Sequence, residues 1–198
     1  MMFRYVVVFT CLITAFMSST AVAETPTEAI KTTTDKIIGI VTDPGLKGPD
    51  KSEKKGKLIR EAVDERFDWQ EMARRTLARH WKDRTDQEKK TFTKLFSDLL
   101  EQTYLDKVEG YSGEKVLYEG EKVDGKYGVV SVKIVTRKET EIPVHYRVKN
   151  KGDGWRVYDI SISGVSLINN YRKQFNSIIT RSSYEDLVEK LKAKVGSK

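Results

Sequence analysis

The spacing of apolar positions changes period twice along the chain. From Thr25 to about Gly110 they recur every three or four residues, the period of an amphipathic helix. Thr25 to Val41 predicts a first helix with Ile30, Ile37, Ile38 and Val41 on one face, stopped by Asp43-Pro44-Gly45. A loop runs to about Pro49. A second helix then carries Leu58, Ile59, Ala62 and Val63 and ends near Arg66. "DWQEMARRTLARHW" opens a third, with Asp68 and Glu71 at capping-box spacing and Met72, Ala73, Leu77 and Trp81 as its apolar positions. A fourth opens on Thr85 and Glu88, another capping box. Its stripe of Phe92, Leu95, Phe96, Leu99, Leu100 and Tyr104 is broad, and Gly110 ends it.

The period then drops to two. Lys115 to Lys122 and Tyr127 to Thr136 predict strands flanking Asp124-Gly125, a hairpin signal. Thr140 to Asn150 alternates most cleanly, with Ile142, Val144, Tyr146 and Val148 opposite Glu141, His145, Arg147 and Lys149. Trp155 to Ser161 is a fourth strand. Short turns join all four into an antiparallel meander with one dry face. After Ser163-Gly164 the helical period returns from Val165 to about Thr180, with Leu167, Ile168, Tyr171, Phe175, Ile178 and Ile179 inward. A last helix is expected to be capped by Ser182 and Glu185. The expected fold class is therefore α+β: a four-stranded curved sheet over 114–162, with the helices of 25–110 and 165–195 on one face.

Residues 1–23 stand apart from this pattern. One cation, Arg4, precedes an apolar run from Tyr5 to Met17, and the stretch ends in Ala21-Val22-Ala23. That is the form of a secretory signal peptide, too short to span a bilayer. Cleavage near Ala23 would leave one exported domain of 198 − 23 = 175 residues. Cys11, the only cysteine, lies inside the leader, so disulfides and thiol chemistry are not expected beyond it. The formal charge of +7 is mostly interspersed. Its one block, Lys47 to Lys57 ("KGPDKSEKKGK"), reads as a solvated loop and receives no role.

Catalytic signals are sparse. "GEKVDGKY" from Gly120 matches GxxxxGK, but Tyr127 stands where a phosphate loop needs Ser or Thr, and a hairpin replaces the strand-to-helix turn. HExxH, GxSxG and metal-spaced carboxylates do not occur. His80 and His145 read as surface residues, and Asp159 as a carboxylate paired with an arginine or a backbone donor. A curved sheet wrapped by long helices encloses a cavity unless side chains fill it. Helical period alone does not separate a cavity wall from a filled core.

"FDWQEMARRTLARHW", "TFTKLFSDLLEQTY" and "WRVYDISISGVSLINNYRKQF" resemble the MlaC family, also called toluene-tolerance proteins, and the resemblance spans about Ile30 to Leu191. It implies an NTF2-like or cystatin-like sheet with a deep apolar pocket for phospholipid acyl chains. It implies a monomeric periplasmic carrier without cofactor, metal or catalytic residues, whose cargo is the bound phospholipid. The implied partners are an inner-membrane ABC transporter complex bearing an MCE-domain ring and an outer-membrane lipoprotein–porin complex, and not nucleic acid; the implied role is outer-membrane lipid asymmetry. The pocket is expected to draw on Met72, Leu77, Trp81, Phe92, Phe96, Leu99 and Tyr104 from the early helices. Val132, Ile134, Val144, Tyr146, Val148, Trp155 and Val157 would come from the sheet, and Val165, Leu167, Tyr171 and Phe175 from the corner and its helix. The alternative is an enzyme of isomerase or dehydratase type on the same fold, with Asp159 or His145 as its base.

Overall fold

The computed structural model describes residues 24–196; the leader expected over 1–23 lies outside them. Four helices come first: α1 (Pro26–Thr42), α2 (Ser52–Asp64), α3 (Trp69–Leu77) and α4 (Asp86–Glu109). Strands β1 (Lys115–Asp124), β2 (Tyr127–Val135), β3 (Glu141–Asn150), β4 (Trp155–Ile162) and β5 (Val165–Ser166) follow, then α5 (Leu167–Arg181) and α6 (Tyr184–Val195). The α+β class stands, and the strands pair antiparallel in chain order, β1-β2-β3-β4-β5.

The sheet has five strands where four were expected. Ser163 and Gly164 both take left-handed backbone angles, φ 48° and 82°, so the chain folds back within two residues. Val165 and Ser166, expected as the start of a helix, therefore pair with Ile162 and Ser161. The helix begins at Leu167, with Ser166 as its N-cap accepting from the Asn169 amide.

Other boundaries shift for local reasons. Both side-chain and backbone halves of the capping box form at Thr25–Glu28 and at Thr85–Glu88. At Asp68 only half forms: Asp68 accepts from the Glu71 amide, but Glu71 turns to Arg74 and Arg75 instead. The third helix stops at Leu77, because Ala78 has φ 50°, and a 3₁₀ turn carries the chain to Trp81. The last helix is capped by Ser183, which accepts from Asp186, and not by Ser182.

Two apolar clusters result. In the first, α3, α4, α5 and α6 bury Met72, Leu77, Phe92, Phe96, Leu99, Ile168, Phe175 and Leu187. Phe175 meets Phe92 and Phe96 edge-on at 5.8 and 5.9 Å, and Tyr171 meets Phe96 at 5.4 Å. In the second, α1 lays Ala29 and Ile30 on the inner sheet face of Val130, Val132, Val144, Val148, Trp155 and Val157. Gly128 permits this approach, since a Cβ there would stand 3.1 Å from Val148 Cγ2 and 3.5 Å from Pro26 Cγ.

A bulge in β4 sets which residues look inward. Val148 pairs with Val157 but Arg147 with Asp159, which leaves Tyr158 as the extra residue. Val157, Ile160 and Ile162 thus share the inner face, while Asp159 and Ser161 turn away.

The aromatic cluster is densely packed, so Phe96→Ala should lower unfolding free energy by about 3–5 kcal/mol. Urea denaturation measures this; a loss below about 1 kcal/mol would mean the cluster is loose.

Candidate functional site

A cavity of about 260 Å³ lies between the two clusters. Its floor is the inner sheet face at Ile134, Val144 and Tyr146, continued by Ile160 and Ile162 beyond the bulge. From α1 come Ile30, Thr33, Thr34 and Ile37; from α2, Ile59, Arg60 and Val63. The α2–α3 connection adds Phe67 and Trp69, and α3 adds Met72. The far wall is the last part of α4, Leu100 to Val108, closed by Leu167 of α5.

Six of the wall residues expected from the sequence line this space: Met72, Tyr104, Ile134, Val144, Tyr146 and Leu167. The structure places the others elsewhere. Leu77, Phe92, Phe96, Leu99 and Phe175 fill the helical cluster, with Trp81 and Tyr171 packed against it. Val132, Val148, Trp155 and Val157 belong to the cluster between sheet and α1. Val165 is 59% exposed on β5. The sequence reading assigned no wall to α1 or α2, which contribute seven residues between them. The available signal was the apolar face of each, with Ile30 and Ile37 on the first and Ile59 and Val63 on the second.

The charged groups in the wall are all engaged within the protein. Arg60 reaches Asp64 at 2.9 Å, Ser97 at 2.9 Å, Asp98 at 3.3 Å and Glu101. Its guanidinium also lies 5.7 Å from the Trp69 ring centroid, and the Trp69 Nε1–H donates to Asp64 at 2.6 Å. Arg66 donates to Thr33 Oγ1 at 3.0 Å and to the Trp155 carbonyl at 2.9 Å. No unpaired charge remains among the lining residues to orient a substrate. The phenols are the other polar groups here. Burial first, and then the neighbouring Tyr118, push the Tyr146 hydroxyl up to about 12. Burial also raises Tyr118, whose hydroxyl lies against Thr34 without a hydrogen bond of standard geometry.

Neither candidate base lines the cavity. Asp159 accepts from Ser166 Oγ at 2.7 Å and from the Ile168 amide at 3.2 Å, with Arg147 3.8 Å away. It fastens β4 to the start of α5. His145 sits on the outer sheet face, 3.1 Å from Ser131 Oγ. His80 lies 3.0 Å from Asn176 Oδ1 on α5. No group of three or more metal-ligating side chains occurs among the described residues. An enclosure lined this way can hold an alkyl chain by excluding water from it.

The family model for MlaC protein matches residues 31–193. The chain belongs to the MlaC family. The resemblance read from the three sequence stretches agrees with this. A curated MlaC, the intermembrane phospholipid transport system binding protein of Haemophilus influenzae, is 23% identical over 195 residues, covering 95% of this chain and 91% of that one. A phospholipid-binding protein from Ralstonia solanacearum, solved in complex with a phospholipid, superposes with a TM-score of 0.77. It is 26% identical, and the match covers 85% of this chain and 95% of that one.

Wall and core should respond differently to a buried charge. Ile134→Glu puts a carboxylate at a half-buried position beside the open cavity, and the protein should stay folded. Val148→Glu puts one where no space exists, and the protein should unfold, since only about 5–15 kcal/mol of stability is available. Circular dichroism decides; two equally folded variants would remove the distinction between cavity and core.

The raised phenols also set an alkaline limit. Tyr184, like Tyr146, is pushed up to about 12, chiefly by burial. Both phenols favour the protonated form in the fold, so their contribution is complete below the ordinary value of 10 and is lost as pH rises towards 12. Denaturation midpoints should fall across that window, and Tyr146→Phe should flatten the fall. An unchanged slope in the variant would show that the Tyr146 phenol is not shielded.

Proposed function

We propose that this protein is a periplasmic carrier that holds the acyl chains of a phospholipid in the cavity between α1, α2, α4 and the sheet. The observation that carries the reading is an apolar enclosure whose only charged groups are paired within the protein. Membership of the MlaC family and the phospholipid in the structural relative support it. The export leader expected over residues 1–23 is consistent with the periplasm. No described helix is long and apolar enough to cross a membrane.

The energetics suit a carrier that does no chemistry. Exposing an acyl chain costs about 0.8 kcal/mol per CH₂, so a tail of roughly fifteen carbons costs on the order of 10 kcal/mol in water. A dry slot removes that cost without any polar contact to the tail. At about 260 Å³ the cavity lies just below the roughly 300–1,000 Å³ of common ligand pockets, so the walls must part to admit a diacyl lipid. The residues we assign to tail contact are Met72, Tyr104, Ile134, Val144, Tyr146 and Leu167, joined by Ile30, Ile37, Ile59 and Val63 of α1 and α2. In this reading the donor and acceptor are an inner-membrane ABC transporter complex with an MCE-domain ring and an outer-membrane lipoprotein–porin complex. The carrier then serves outer-membrane lipid asymmetry.

Protein made with its leader in a Gram-negative host and purified without detergent should carry diacyl phospholipid in an amount comparable to the protein. Organic extraction with mass spectrometry measures this, and intact-mass analysis should place the N-terminus near Glu24. Repeated extraction that yields no lipid would overturn the carrier reading.

A further inference from the structure

A cavity of about 260 Å³ has to widen to take a diacyl lipid. What holds each wall decides which one moves. Phe92, Phe96 and Leu99 fix α4 in the helical cluster, and Ala29 and Ile30 fix the start of α1 on the sheet. No residue of α2 belongs to either cluster among the described residues. Its buried positions are Gly56, Ile59 and Ala62, and Ile59 lines the cavity. This helix is a wall outside both cores.

The two sides of α2 are held differently. α1 packs along one side, tied by Lys36 to Glu65 at 2.7 Å and by Arg66 to Thr33 Oγ1 at 3.0 Å. The chain just after α2 is pinned to β4, where the Asp68 amide donates to the Val157 carbonyl at 2.9 Å. On its other side α2 meets α4 across a polar seam. Arg60 reaches Ser97 at 2.9 Å, Asp98 at 3.3 Å and Glu101, and Lys55 stands 3.7 Å from Glu109. Gly56 brings the two helices close, since a Cβ there would lie 3.6 Å from Leu105 Cδ2. Arg60, Glu101 and Leu105 all line the cavity and are half-exposed, so this seam is thin and reaches solvent.

Seams of these two kinds part at different cost. Separating packed apolar side chains puts hydrocarbon into water. Separating partly exposed ion pairs hands each group to water or to another charge, with little net loss. We infer that α2 is a lid on the cavity, turning about its contact with α1, and that Arg60 is the latch that holds it to α4. The inference rests on the carrier reading, which needs a cavity that stays shut between donor and acceptor and opens at each. A latch of ion pairs suits that need. A charged group on a docking partner can compete for Arg60 or its carboxylates without first breaking an apolar core.

Beyond the expected leader the chain has no cysteine, so introduced pairs report cleanly. Gly56→Cys with Leu105→Cys, joined by oxidation or by a short bis-maleimide, ties α2 to α4. Lys36→Cys with Glu65→Cys, joined in the same way, ties α2 to α1. Lipid-loaded protein is mixed with octyl glucoside micelles, and the lipid left on the protein is followed by extraction and mass spectrometry. The link to α4 should slow release about ten-fold or more, while the link to α1 should leave it within about two-fold. Arg60→Met should release lipid about ten-fold faster than the wild type. Release from the wild type should also quicken as salt rises, and release from Arg60→Met should not. Where Arg60→Met does not fold, Arg60→Lys, which keeps the charge but loses the fork, takes its place. Slowing by the α1 link that equals or exceeds slowing by the α4 link overturns the inference. So does release that neither link slows, or an Arg60 variant no faster than the wild type. Should the protein carry no lipid, the carrier reading fails and the lid is judged by maleimide labelling of Val144→Cys on the cavity floor. Labelling about ten-fold faster in the Arg60 variant supports the lid, and equal labelling overturns it.

Discussion

An apolar space left open inside a protein works against the fold that surrounds it. Apolar side chains that line a cavity of about 260 Å³ forgo part of the packing that burial in a filled core would give them, against a total stability of only about 5–15 kcal/mol for an ordinary domain. The division of the interior into two clusters answers this constraint. Phe92, Phe96 and Phe175 make one side of the molecule dense, and Val130, Val148 and Val157 under α1 do the same on the other. Each cluster is closed without any contribution from what occupies the space between them. Cargo that fills the cavity would recover part of the forfeited energy, which makes the loaded form the more stable one on the carrier reading.

Polar chemistry is kept out of the cavity by the same arrangement. The bulge at Tyr158 matters most here. Strict alternation from Val157 would put Asp159 on the inner face and point a carboxylate at the hydrocarbon side. One extra residue in the pairing with β3 turns Asp159 to the β5–α5 corner, where a hydroxyl, an amide and Arg147 receive it. The corner of Ser163 to Ser166 thus has a structural use for its single carboxylate. Arg60 illustrates the other solution: three carboxylates and a serine occupy its donors, so a charge in the wall presents little to a passing acyl chain.

The period of apolar residues shows which side of an element faces inward, and that much was legible. The capping boxes at Thr25 and Thr85, the Asp124-Gly125 hairpin and the inner face of β3 follow from local chemistry acting within a few residues. The shortened third helix was harder, because Ala78 shows no mark in the sequence of its left-handed angle. The β5 hairpin was closer to legible, since Ser163-Gly164 is a turn signal, but the two residues it pairs are too few to show a period.

The candidate site was legible only in part, for a reason that lies in the physics of amphipathic helices. Phe96 and Tyr104 sit on one face of α4, two turns apart, with the same relation to the sequence pattern. The difference is what stands opposite them: Phe175 and Tyr171 fill the space against Phe96, and nothing fills it before Tyr104. That depends on where α5 ends up relative to α4, a long-range consequence of the sheet and its corner. Hydrophobicity drives a residue out of water without specifying whether its neighbour is another side chain or a space. Periodicity therefore assigns the inward face of each helix, while the boundary between core and cavity is decided by how the helices are placed on one another.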